Sequence, residues 1–232
     1  MKPTLALISS YNDDSCANAT YARLLEKTLN AHFDVTVFSL DPSLMKPTEL
    51  TGIANTYVTE ICDKLQHIDF VNLHLELGLY GDSTDVCLKR IKQFCKASQK
   101  LIFTLHGIDL KSPSFTPVYR EILINLKGRP NEKPFHIITH TEIQCRQIQS
   151  VFGIKNVSDY PVTYITEDEK KRIFAIDKMA WKNKLGFKPD DIVIGLFGIW
   201  AESKNRIWAL KALELLPDQY KLAFFGGIHP LS

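Results

Sequence analysis

Short apolar runs alternate along this chain with longer stretches whose apolar residues recur at helical spacing. Leu5 to Ile8, Asp34 to Leu40, Asp69 to Leu73, Leu101 to Leu105 and Phe135 to Ile138 read as strands. The runs are brief, and the one at Leu101 closes on a glycine, as suits strands buried on both faces. Between them, Cys16 to Ala31, Glu49 to Leu65, Ser83 to Ala97, Val118 to Leu126 and Thr141 to Phe152 read as helices. In the second of these, Ile53, Tyr57, Ile61 and Leu65 stand at intervals of four. Thr141 suits an N-cap and Gly153 a stop. A further short strand is expected around Pro161, between Val157 and Ile165. Strand–helix alternation with short linkers predicts an α/β fold: a Rossmann-like parallel sheet flanked by helices, with right-handed crossovers.

The pattern changes at Thr166. From there to Lys188 the chain is rich in charge, with Ile173, Ile176, Ala180 and Leu185 at helical spacing. This reads as a connecting helix. Its lysines suit either a solvated face or peripheral contact with an anionic membrane surface. Asp191 to Phe197, Lys204 to Leu216 and Tyr220 to Phe225 then spell a second strand–helix–strand unit. The expected organisation is a Rossmann-like domain over 1–165, a linker helix over 166–189, and an incomplete second Rossmann-like domain over 190–232. An apolar face on that incomplete unit would need cover from a second copy or a partner chain.

Composition narrows the function classes. The chain has 232 residues, 45% hydrophobic and 23% charged, with a net charge of +2. So small a charge argues against nucleic acid as the main partner. Five scattered cysteines without paired spacing suit reduced thiols in a cytoplasmic protein. The apolar run at Leu5 is too short for a signal peptide.

Candidate chemistry gathers at strand ends. Leu101 to Leu105 runs into His106 and Gly107. The run at Phe70 leads to His74 and Glu76, and that at Phe135 to His140. In parallel sheets, ligands meet the chain at the carboxyl ends of the strands. A neutral imidazole there can share a proton with a hydroxyl near pH 7, which makes His106 the leading candidate for a catalytic residue. His74 and Glu76 are candidates for substrate binding, or a structural pair. His140 is a substrate-binding candidate or a cap of the following helix. No acidic or cysteine spacing supports a metal site, and no G-x-G-x-x-G supports a dinucleotide. Asn12 offers an amide in the first loop. Asp13 and Asp14 beside it would repel a phosphate and favour a polyhydroxyl ligand.

These residues also fall in an order that resembles the family-four glycosyltransferases of the GT-B fold. The family's W-N-x-x-C-G-I-A-x-Y opening is matched by Tyr11, Asn12, Cys16, Ala17, Asn18, Ala19, Thr20 and Tyr21, with a longer gap. Its H-x-E-x-G-L-F-G element is matched by His74, Glu76, Gly78, Leu79, Tyr80 and Gly81. Thr104, Leu105, His106 and Gly107 match T-x-H-G, and His140 with Thr141 matches a His-Ser pair. Phe197, Gly198 and Lys204 match the opening of the second domain, with Asn205 in place of its glycine. Gly226, Gly227, His229 and Pro230 match GG-x-HP. The resemblance implies a retaining transferase moving a sugar from a nucleotide-sugar to a glycan or lipid-linked acceptor, in surface polysaccharide assembly. It implies no metal cofactor, a substrate role for Gly107, and Gly198 and Lys204 on the donor diphosphate. The family's paired donor-binding glutamates would follow Ser232, so this chain alone is expected to be inactive. The rival expectation is a non-catalytic relative, or half of a split enzyme, that binds a partner protein or a glycan.

Overall fold

The computed structural model describes residues 1–12, 16–108, 116–163, 165–198, 200 and 205–227. The chain divides into two compact units, Met1–Thr166 and Glu167–Ser232. The first is built on six parallel strands: β1 (Thr4–Ser9), β2 (Asp34–Ser39), β3 (Phe70–Leu75), β4 (Lys100–Leu105), β5 (Phe135–Thr139) and β6 (Val157–Asp159). Their order in the sheet is β2-β1-β3-β4-β5-β6. The chain therefore reverses direction between β1 and β3, the switch point at which open α/β sheets present a crevice.

Helix α1 (Ala17–Leu29) follows β1. A short helix α2 (Pro42–Met45) and the long helix α3 (Thr51–Leu65) follow β2. Helices α4 (Thr84–Ala97), α5 (Thr116–Lys127) and α6 (Glu142–Phe152) link the later strands. Right-handed crossovers place α1 on one face of the sheet and α3 to α6 on the other. The main core lies on that second face. There Ala6, Ile8, Val71, Leu73, Leu101, Phe103, Leu105 and Ile137 meet Val58, Ile61, Ile91, Phe94, Ile122 and Leu123. Phe103 is completely enclosed, and burying such a ring contributes about 2–3 kcal/mol.

Local chemistry sets the helix ends. Ser83 Oγ accepts from Val86 N–H, and Thr141 Oγ1 from Gln144 N–H at 3.3 Å. Helix α6 stops at Gly153, whose φ of 64° is left-handed and suits a residue without Cβ. In α3 the buried residues are Ala54, Val58, Ile61 and Leu65, whereas Ile53 is exposed. Of the apolar residues spaced by four, only Ile61 and Leu65 fall on the buried stripe. An interval of four overshoots the helical repeat by about 40° per step, so a long run of such intervals slides off the stripe.

The first face of the sheet is more polar. Side chains alternate along each strand, and this face carries Leu7, Asn72, His74, Thr104 and Ile138. Thr104 Oγ1 donates to Asn72 Oδ1 at 2.8 Å. Helix α1 approaches closely through Ala19 and Ala22, both fully buried. Strand β5 is enclosed on the core side only, for His136 on the other face is exposed. This differs from burial on both faces.

The second unit starts with two short helices, α7 (Glu167–Phe174) and α8 (Lys178–Lys184), where one connecting helix was expected. Asp177 breaks the run by capping α8, accepting from Met179 N–H at 2.9 Å and Ala180 N–H at 3.1 Å. Strand β7 (Ile192–Phe197), helix α9 (Arg206–Leu213) and the parallel strand β8 (Tyr220–Phe225) follow. Gly226, at φ 148°, passes so close that a Cβ would lie 2.0 Å from the Gly198 carbonyl oxygen. Several large apolar side chains of this unit are exposed, among them Phe197, Trp208 and Leu215. Among the described residues, no helix is long and apolar enough to cross a membrane.

Candidate functional site

Strands β3, β4 and β5 are neighbours, and the histidines at their carboxyl ends touch. His106 Nε2 lies 3.1 Å from His74 Nδ1. His106 Nδ1 lies 3.2 Å from His140 Nε2. His140 Nδ1 in turn lies 2.9 Å from the Tyr160 carbonyl oxygen, just past β6. The register explains the row. His74 pairs with Thr104 and Thr104 with Ile138, so His106 and His140, two residues further on, share that face.

Tyr21 of α1 sits over all three rings. Its centroid lies 5.5 Å from that of His74, 5.2 Å from His106 and 5.4 Å from His140. The contacts with His106 and His140 are edge-on, a favoured aromatic geometry. Tyr21 closed the first motif in the sequence, where no role at the histidines was read for it.

The three histidines differ in burial. His74 lies inside strand β3, one residue before its end, and is fully enclosed. Its carbonyl accepts a hydrogen bond from Tyr80 OH, which pins the backbone there. His106 and His140 are half-buried. Burial holds His74 well below the usual imidazole range, with His106 and His140 adding to the effect. Burial, with His140 beside it, lowers His106 to about 4. Both are neutral at pH 7.

Two buried polar atoms near this row, His74 Nε2 and Ser9 Oγ, have no partner among the described residues. Continuing the β1–β3 register past Ile8 and Leu73 brings Ser9 beside His74 on the sheet. Leaving such an atom unsatisfied costs about 1–3 kcal/mol.

The other candidates lie around the same sheet edge. Gly107 is half-buried, and its carbonyl accepts from Tyr119 OH at 3.0 Å. Glu76 is placed apart from its neighbour His74. It lines a recess of about 460 Å³ with Lys46, Gly78, Ser83, Cys87 and Tyr119. Crowding raises its carboxyl from the ordinary range, opposed by the Gly78 N–H and Lys46. Asn12 is exposed and lines a second recess, about 400 Å³, with Ser10, Ser39 and Asp41 at the ends of β1 and β2. In the second unit, Gly198 donates its N–H to the Phe225 carbonyl at 2.8 Å and accepts from Arg206 Nη2. Lys204, Asp13, Asp14, His229 and Pro230 lie outside the described residues.

Among the described residues, no group of His, Cys, Asp and Glu side chains is arranged to hold a metal ion. All five cysteines are free thiols. Cys87, Cys95 and Cys145 are buried, and burial pushes Cys95 up to about 12.

The first unit is a Rossmann-like α/β domain, a six-stranded parallel sheet flanked by helices. Among solved structures, the chain is similar to an alpha-glucosyltransferase in complex with UDP-glucose and DNA containing an abasic site. The TM-score is 0.50 at 8% sequence identity, and the match covers 98% of this chain and 68% of that one. At that identity the likeness speaks for the fold alone. No protein-family model matches the sequence. No curated protein matches it either.

Proposed function

We propose that this chain is a glycosyltransferase of the family-four type, in which the first unit is the acceptor side and the second the donor side. The observation that carries the reading is the histidine row. Three imidazoles meet at the carboxyl edge of a parallel sheet, in a fold shared with a protein solved with UDP-glucose. Such an edge is where α/β sheets receive ligands. Neutral imidazoles, carbonyls and hydroxyls suit a polyhydroxyl acceptor, which they recognise by hydrogen bonds. His106 is the residue facing it, with Gly107 and His140 beside it and Asn12 on the β1 side. In the second unit, Gly198 and Lys204 are the donor diphosphate candidates. The donor is a nucleotide-sugar. Transfer with retention to a glycan or lipid-linked acceptor, in surface polysaccharide assembly, is the finer form of this reading.

The test is a titration of the ¹⁵N-labelled chain with UDP-glucose, then with oligosaccharide acceptors, followed by NMR. Weak donor binding is expected, with shifts confined to Gly198 and its neighbours. Acceptor shifts are expected at Gly107 and His140. The absence of both, across several nucleotide-sugars at millimolar concentration, would refute the reading.

The exposed Phe197, Trp208 and Leu215 favour a second reading, a non-catalytic or split relative that docks a partner through its second unit. Light scattering discriminates, for a monodisperse monomer counts against an obligate partner or a homo-oligomer.

A further inference from the structure

The histidine row has a direction, and one carbonyl sets it. A carbonyl oxygen only accepts hydrogen bonds. The Tyr160 carbonyl lies 2.9 Å from His140 Nδ1, so that nitrogen carries the proton. A neutral imidazole has one N–H and one lone pair. His140 Nε2 is therefore an acceptor, and the nitrogen 3.2 Å away, His106 Nδ1, must donate. His106 Nε2 is then the acceptor of its ring, and His74 Nδ1, 3.1 Å away, is its donor. The row ends at His74 Nε2, a lone pair that is buried and has no partner among the described residues.

Each ring thus bears a single proton, on Nδ1. The reverse direction would set the His140 Nδ1 lone pair against the Tyr160 oxygen. A doubly protonated His106 would force His74 into its Nε2–H tautomer, with that proton buried and without a partner among the described residues. Burial, which disfavours charge on His74 and His106, agrees with neutral rings at those two positions.

We propose that His140, held by the Tyr160 carbonyl, and His74, buried on the other side of His106, are positioning residues that fix His106 in its Nδ1–H tautomer, so that the ring has no free lone pair with which to act as a base. This deepens the reading of His106 as the ligand-facing residue and rests on it. It also gives a direction to the proton sharing expected of His106 from the sequence. Both of its ring nitrogens are already engaged, and the one spare lone pair of the row belongs to His74, out of reach of any ligand.

Long-range ¹H–¹⁵N NMR of the labelled chain at pH 7.5 reads each tautomer directly. All three histidines are expected to show a protonated Nδ1 and a bare Nε2. His140→Ala, a change at a half-buried position, is expected to release His106 into a mixture of both forms. His140→Gln, which puts an amide oxygen near the lost Nε2, is expected to restore the Nδ1–H form. A His106 protonated at Nε2 in the parent chain would overturn the proposal. So would an unchanged His106 in His140→Ala. The readout needs no sugar and no turnover. Failure to bind UDP-glucose with the tautomers as stated would refute the transferase reading alone.

Discussion

Acidification probes the candidate site through the burial of His106. Its imidazole is lowered from the ordinary 6.5 to about 4 by burial and by His140. Between those limits the unfolded chain binds a proton at this residue and the folded chain does not. Stability therefore rises with pH across the window and is lost as pH falls from 6.5 towards 4. At about 1.4 kcal/mol per pH unit, the window is worth about 3 kcal/mol. His74, also held low, acts with the same sign. Asp69, lowered by its hydrogen bonds from Thr4, acts with the same sign but at lower pH. Glu76, raised by crowding, acts with the opposite sign. Subtracting a His106→Gln variant removes these other contributions. The assay is urea unfolding at four pH values from about 7.5 down to about 4.5, with the His106 ring followed by NMR. The two stability curves should converge as pH falls. Parallel curves, or a His106 titration midpoint near its ordinary value, would refute the burial argument.

Arg90 is fully buried and donates to the Met45 and Tyr80 carbonyls, both at 2.8 Å, and to Asn55 Oδ1 at 2.9 Å. Arg90→Met strands three acceptors and should cost about 3 kcal/mol, measured by urea unfolding. Gly81→Ala would set a Cβ 2.7 Å from Val86 Cγ1. It should lower stability by about 1–3 kcal/mol through overpacking, seen as a lower thermal midpoint. Thr141→Ala removes the cap of α6 and should cost about 1 kcal/mol. Thr141→Ser should recover most of that loss in the same denaturation assay.

The strands were legible because each is a short apolar run bounded by turn residues, and the parallel order followed from the alternation. Three histidines could be placed at strand ends on that basis. What could not be read was depth. His74 looked like an edge residue, but β3 continues through it to Leu75 and α1 covers it with Tyr21. No local pattern says which helix will lie over a strand end. Arg90 shows the opposite case. Between Lys89 and Ile91 it resembles a surface residue, yet its spacing from Cys87 and Phe94 puts it on the buried stripe of α4. The Tyr160 anchor had no signal at all, since it acts through its backbone.

That anchor gives the short edge strand a further meaning. Strand β6 spans only three residues, and the chain beyond it is tied back by the Tyr160 N–H to the Thr139 carbonyl at 2.8 Å. Brief edge strands open before the rest of a sheet does. When this one frays, His140 loses the oxygen that orients it, and the histidine row loses its polarity while the core stays folded. Hydrogen exchange at Tyr160 would then report how often the site is in working order. During synthesis, too, the row gains its direction only after residue 160 has left the ribosome, well after its histidines have been made.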